Sequence, residues 1–397
     1  MNLVGLARLR CPVCGGMLQL DAFKQGVVEP AAAELTAAQA ARCRADEAFR
    51  TQLSSRVEEG VLTCGACRVW YPIVNFVPLM LIFSTPLHEH FARAHAQRLA
   101  PLQGFTMPRG SPKPGEQSIQ QTFTEEWAVV EDNEFTFAYT TEELAKLQSE
   151  AWFNSSKEPA GIRHVLDVGC GGYAAEAEAL RRNFPEAEVT AVDLNLHVLR
   201  NGHRFIDKPA LHVVICSLFH LPFERQTFDL VFSQGVLHHT YSTADALKNI
   251  ATYNAERGFL FVWLYAIEDH QVDKGMKGFR SRVRYYVFMV GLRPLVSRAP
   301  KFVRQAVVYT WGLYGYLRHK MSRNSKQGWK FRNSVHAAYD YVTPRYAHVH
   351  SFNEVIEWFE GLGYDYNLHS PAKYRRLFGR PIHGIGVLGR RLGSPSA

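Results

Sequence analysis

From residue 162 onward, short runs rich in Val, Ile, Leu and Phe (HVLDVG, AEVTAVD, LHVVICS, FDLVFSQ, GFLFVWLY) alternate with helix-like stretches near 174–183, to about 206, and near 243–254. Strands this continuously apolar suit a sheet covered by helices on both faces. A parallel, doubly wound α/β sheet is expected. In such a sheet ligands bind outside the carboxyl ends of the strands, where the strand order reverses. The residues at those ends carry the functional information.

The first strand ends in Asp167-Val-Gly169-Cys-Gly171-Gly172. Glycines there let the backbone approach a ligand and turn into a helix amino terminus. The second strand ends at Asp193 in AVDLN, a carboxylate placed to accept hydrogen bonds from ribose hydroxyls. The two strand ends together specify a nucleoside ligand.

VLDVGCGG, AVDLN, SLFHLPFERQTFDLVFSQGVLHHT, and the closing pair LGYDYNLHSP and IHGIGVLGRR resemble the class I S-adenosylmethionine-dependent methyltransferases. The likeness covers about 161–265 and the carboxyl terminus. It implies a Rossmann-like seven-stranded sheet with S-adenosylmethionine as cofactor, held by Asp167, Gly169, Gly171, Gly172, Asp193, Leu194, Ser217, Leu218 and Gln234. It also implies that His238 and His239, on the turn after the fourth strand, border the methyl group, with His238 the first choice as base. Two departures stand out. Tyr173 falls where the family's third glycine belongs, so either Gly172 takes that place in a shortened loop or Tyr173 intrudes. Ser217 falls where an acid usually accepts from the adenine amino group, which removes charge assistance. A dinucleotide oxidoreductase is the rival reading, with Ala174 as the last position of G-x-G-x-x-G. LPF, FDLV and LHHT have no role in a dinucleotide site.

Near the amino terminus, CPVC at 11–14 and CGAC at 64–67 make two Cys-x-x-Cys pairs. Four thiolates, Cys11, Cys14, Cys64 and Cys67, suit a closed tetrahedral zinc site of structural role; two unrelated reduced pairs are the plainer alternative. Cys170 and Cys216, at strand ends, read as small buried apolar residues. The surrounding text, CPVCGGML and GVLTCGACRVWYPIVNFVPLML, resembles the Trm112-type zinc ribbon, interrupted by an alanine-rich helical insertion. In that family the ribbon supports or recruits a methyltransferase domain.

The expected organisation is a ribbon domain over 1–103, a Pro/Gly/Ser-rich linker and helical lead-in over 104–160, and a methyltransferase domain over 161–397 with a basic helical cap at about 268–340. Thr140 or Thr141 is the expected cap of a lead-in helix. No signal peptide or membrane span is expected, since apolar runs such as PIVNFVPLMLIF are too short. A cytoplasmic location is expected.

The net charge of +8 resides in one segment: residues 274–339 hold 15 Lys and Arg and no Asp or Glu. Within it Phe302, Ala306, Tyr309, Leu313 and Leu317 fall at helical spacing, predicting an apolar face packed over the sheet edge. Three partners would suit the basic segment: an anionic small substrate, an anionic membrane surface or RNA. DYVTPRYAHVHSFNEV resembles a segment of small-molecule methyltransferases that carry the same ribbon, which implies Tyr346, His348 and His350 as pocket residues. The expected function is methyl transfer to a small acceptor, anionic or a specialised metabolite. An RNA methyltransferase and a catalytically silent methyltransferase-like scaffold are the alternatives.

Overall fold

The structure is a computed structural model describing residues 1–130, 139–153, 159–267, 283, 285–321, 329–368 and 384–393. The amino-terminal part is a four-stranded antiparallel sheet in the order β1 (Gln19–Val27), β2 (Ser55–Cys64), β3 (Val69–Val74), β4 (Val77–Pro78). The insertion between β1 and β2 holds two short helices, Ala37–Ala45 and Glu47–Ser54. Thr36 and Asp46 cap them through hydrogen bonds to free amide donors.

The large sheet has seven strands: β5 (His164–Val168), β6 (Glu188–Asp193), β7 (Leu211–Ile215), β8 (Phe228–Gln234), β9 (Asn254–Leu264), β10 (Tyr364–Leu368) and β11 (Ile385–Arg391). Their order is β10-β11-β9-β8-β5-β6-β7. Strands β5 to β9 pair in parallel; β11 runs antiparallel between β9 and β10. This is the expected Rossmann-like methyltransferase sheet. Leu166, Val168, Val231 and Val262 face the helices Thr243–Ala251 and Phe352–Gly361, while Val165, Leu230 and Phe261 face the helix Ala175–Asn183 and the segment around Trp152. The strand order reverses at β5, so a crevice opens above β5 and β8.

The ribbon continues the large sheet. Leu79 bridges Ile215 in parallel, and Met80 N–H donates to the Ile215 carbonyl at 2.7 Å, covering the β7 edge. The Arg56 guanidinium, almost wholly buried, donates to the Ile206 carbonyl at 2.6 Å, and Asn75 donates to that of Leu199 at 2.6 Å.

The cap contains the helices Arg293–Arg298, Lys301–Lys320 and Phe331–Val342. The face carrying Phe302, Ala306, Tyr309, Leu313 and Leu317 does not pack on the sheet edge as expected; all five side chains are exposed, Phe302 by 73%. The inward face is Arg304, Val308 and Gly312, laid against Phe331–Val342. Arg304 can turn inward because its guanidinium meets Glu125 at 2.8 Å. No helix among the described residues is long and apolar enough to cross a membrane.

Candidate active site

A cavity of about 660 Å³ lies above the carboxyl ends of the parallel strands. Of the residues expected from sequence, Gly169, Gly171, Asp193, Leu194, Leu218, Gln234 and His239 line it. Asp167, Gly172, Ser217, His238, Tyr346, His348 and His350 do not.

The glycine loop is closed by Asp193, whose two oxygens accept from Gly171 N–H and Asn195 N–H, each at 2.8 Å. Gly169 and Gly171 have φ of +88° and +68°, and a Cβ at either would lie 2.1 and 2.2 Å from Val236 and Trp127. Only glycine fits such a backbone. Tyr173 does not intrude: its ring is buried edge-on to Trp127, and its hydroxyl donates to the Val130 carbonyl, outside the cavity wall. Gly172 packs beneath Trp127 and His197, so neither residue stands at the wall where the third glycine was sought. Ala174 takes the left-handed conformation, φ +54°, that starts the helix Ala175–Asn183.

Glu176, one residue into that helix, is half-buried and accepts from Gln234 at 2.9 Å; Gln234 in turn accepts from Trp152 at 2.9 Å. Burial, with Asp167 and Asp193 nearby, pushes the Glu176 carboxyl well above the usual range. Asp167 lies beneath the loop with both oxygens lacking a hydrogen-bond partner among the described residues. Burial and Asp193 push it up to about 8.

The lead-in helix Glu116–Trp127 supplies a wall with no counterpart among the residues expected from sequence. Glu116, Ile119, Phe123, Glu126 and Trp127 line the cavity from one helix face. Gln120 donates to the Leu194 carbonyl at 3.0 Å, and the Thr124 hydroxyl accepts from Leu196 N–H at 2.9 Å, fixing the helix to the segment after β6. Glu116 reaches Ser217, which helps to hold down a carboxyl that burial raises. The acid missing at 217 therefore has a neighbour from another element. The spacing 116, 119, 123, 126 was the available signal.

At the opposite end of the cavity stand His239, Tyr265 and Asp340. His239 Nδ1 lies 2.9 Å from the Tyr346 carbonyl, and its Nε2 lies 3.3 Å from Asp340 Oδ1. A carbonyl only accepts, so Nδ1 carries a proton and Nε2 remains the site that gains or loses one. The Tyr265 hydroxyl donates to Asp340 Oδ2 at 2.7 Å. Burial alone would raise Asp340, but His239, Tyr265 and Arg293 hold it below the usual range.

His238, the first choice as base, does not stand on the cavity wall. It is fully buried and stacked on Tyr265 at 3.8 Å between ring centroids. Burial and neighbouring histidines push its pKa well below the ordinary value, so it stays uncharged. Tyr346, His348 and His350 buttress the turn from behind. His348 N–H donates to the His238 carbonyl at 2.9 Å, His348 Nε2 donates to that of Thr240 at 3.0 Å, and His350 N–H donates to that of Tyr265 at 2.9 Å.

In the ribbon the Sγ atoms of Cys11, Cys14, Cys64 and Cys67 lie within 4.8 Å of one another. Cys14 and Cys64 are 3.6 Å apart and Cys11 and Cys67 4.0 Å. A tetrahedron of thiolates at zinc–sulfur distances of about 2.3 Å has edges of roughly 3.8 Å, so the donor set fits zinc.

Comparison with known proteins agrees with this geometry. The family described as a methyltransferase domain matches residues 166–262, and the Trm112p-like protein family matches 6–75. The chain thus carries a methyltransferase domain and a Trm112p-like domain. It is 28% identical over 136 residues to a mouse protein named probable tRNA methyltransferase 9B, covering 31% of this chain and 27% of that one. It is 39% identical over 107 residues to an uncharacterized methyltransferase of Mycobacterium bovis, covering 26% and 51%. The chain spans about a quarter and about half of the length of these two relatives. A solved structure of an O-methyltransferase family protein from Burkholderia thailandensis aligns with TM-score 0.36 and 13% identity, covering 77% of this chain and 85% of that one.

Proposed function

We propose that the chain transfers a methyl group from S-adenosylmethionine to a small acceptor bound under the cap. One observation carries this reading: a single cavity runs from the Asp193-closed glycine loop to the His239–Asp340–Tyr265 group. Donor and acceptor can share one continuous space. The residues fit the donor: the loop leaves room for nothing larger than hydrogen at Gly169 and Gly171, Asp193 offers a carboxylate at the ribose position, and Glu116 offers one beside Ser217. When bound, the sulfonium supplies an activated methyl electrophile.

The protein's part is then alignment, exclusion of water and removal of a proton. Trp127, Phe123 and Tyr265 wall the site. His239 Nε2 takes the acceptor's proton, and Asp340 stabilises the imidazolium that results. Tyr346, His348 and His350 act as positioning residues for that turn. The four ribbon cysteines hold a structural zinc, remote from the chemistry.

The RNA reading draws on the name of the mouse relative and on the basic segment. The wall argues against it, because among the described residues Lys113 is the one Lys or Arg that lines the cavity, facing five carboxylates. The same wall turns the expectation of an anionic acceptor around. Calorimetry with S-adenosylhomocysteine tests the enzyme reading: micromolar binding is expected, and no binding by folded protein favours the silent scaffold. Salt-sensitive binding of unrelated RNAs at physiological salt would favour the RNA reading.

A further inference from the structure

We propose that the acceptor is a small amine, recognised as a cation by Glu126 and Asp340 within an aromatic wall. The inference rests on the methyl-transfer reading and adds the substrate class.

The cavity's carboxylates divide by position. Asp193 and Glu176 belong to the loop end and already accept hydrogen bonds there, and Glu116 accepts from Lys113 N–H at 2.8 Å beside Ser217. Glu126 and Asp340 belong to neither group. They project from the lead-in helix and the cap helix, two elements that pack on each other over the far end.

Glu126 lacks the partner that a buried carboxylate needs. It is wholly buried, lines the cavity, and neither oxygen accepts a hydrogen bond among the described residues. The nearest cationic candidate is His336, with Nε2 at 3.5 Å. Burial lowers the His336 pKa to about 4, so it brings no charge at neutral pH. An unpaired buried carboxylate costs several kcal/mol. Asp340 and Asp193 add like charge and help to push the Glu126 carboxyl well above its usual range. A bound cation relieves this arrangement; a bound anion worsens it.

The wall around the two acids is aromatic. Phe123 and Trp263 pack on His239 and Tyr265, and Trp127 reaches from the glycine loop to His336; all but His336 line the cavity, and ring faces attract ammonium groups when water is excluded. Among the described cap arginines, Arg304 pairs with Glu125, and Arg293, whose charge helps hold the Asp340 carboxyl ionised, spends its hydrogen bonds on main-chain carbonyls, that of Tyr341 at 2.9 Å. Neither lines the cavity.

The chemistry balances. The bound ammonium, R–NH3+, passes one proton to His239 Nε2, and Asp340 Oδ1 at 3.3 Å stabilises the imidazolium. The freed nitrogen lone pair forms the new N–CH3 bond as the methyl–sulfur bond breaks, its electrons remaining on sulfur. The products are a methylated ammonium and the neutral thioether.

The test is calorimetry on the full chain saturated with S-adenosylhomocysteine. It is titrated with 2-phenylethylamine and tryptamine, and with phenylacetate, indole-3-acetate and 2-phenylethanol as matched probes. The amines are expected to bind at least about tenfold more tightly than their carboxylate or alcohol counterparts. Glu126→Gln and Asp340→Asn should each weaken amine binding about ten- to hundredfold, the range of a charged hydrogen bond. S-adenosylhomocysteine affinity, which doubles as the check on folding, should change less than about twofold in Glu126→Gln. Carboxylates or alcohols binding as well as the amines, no amine binding by the loaded protein, or amine binding unchanged in Glu126→Gln would each overturn the proposal. Failure of the wild type to bind S-adenosylhomocysteine at all would instead defeat the methyl-transfer reading beneath it.

Discussion

The Tyr265 hydroxyl donates to Asp340 Oδ2 across 2.7 Å, tying the end of β9 to the cap helix Phe331–Val342. Through Asp340 the bond also fixes what His239 Nε2 faces. The His239 turn, the end of β9 and the cap helix are thus joined through Asp340, and disturbing any of them should disturb the proposed proton transfer.

His239→Ala should lower turnover about 10²- to 10⁴-fold with any proton-bearing acceptor while leaving S-adenosylhomocysteine affinity near that of the wild type. His238→Ala should behave differently, because His238 is fully buried and stacked on Tyr265. Truncation there leaves a void and should lower stability by about 1–3 kcal/mol. Parallel urea melts and single-turnover assays separate the two. Equal turnover loss with no stability change in both variants would refute the division of roles.

Glu116 is expected to read the adenine amino group in place of the acid that Ser217 does not supply. Glu116→Gln should weaken S-adenosylhomocysteine about tenfold, and should weaken the inosine analogue, which lacks that amino group, far less. Matching losses for both ligands would place Glu116 outside base recognition.

Asp167 provides the pH prediction. Its carboxyl is pushed from an ordinary 3.8 up to about 8 by burial and by Asp193. The folded chain therefore holds a proton here that the unfolded chain releases between about pH 4 and 8. Stability from this group falls as pH rises through that window, by at most about 1.4 kcal/mol per unit. Asp167→Asn should thus be more stable than the wild type at pH 8, with the gap closing by pH 4. Urea midpoints at pH 4.5, 6 and 8 measure it, and a gap independent of pH would rule the shift out.

The glycine loop, Asp193 and the cysteine pairs were legible because local chemistry dictates them: strand ends that need φ above zero, a carboxylate after the next strand, and thiols at knuckle spacing. What escaped depends on docking. The Glu116–Trp127 helix enters the cavity wall from upstream, and no strand-end rule points to it. Adjacent His238 and His239 share one turn, and only its packing on Tyr265 decides that the second faces the cavity. The cap helix turns the opposite face inward from the one its hydropathy pattern predicts, because Arg304 is buried by an ion pair with Glu125 that such a pattern does not contain. The apolar positions were then left outside.

The ribbon and the large sheet should fail together when zinc is lost. The four sulfurs sit 3.6–4.0 Å apart in pairs, and like thiolates at that distance repel without a cation between them. The ribbon's strand register leads directly to the Leu79–Ile215 bridge, and its Arg56 and Asn75 satisfy carbonyls of the segment between β6 and β7. Releasing the ribbon bares the β7 edge and takes the donors from those carbonyls, exposing that segment and the apolar surface beneath it to water. One zinc per chain is expected by elemental analysis, and chelation or Cys64→Ser should lower the midpoint of a single cooperative thermal transition. S-adenosylhomocysteine affinity should fall with it, because β6 and β7 frame the nucleoside end of the cavity. A ribbon that melts alone, leaving an unchanged second transition and intact ligand binding, would show that the two parts are independent.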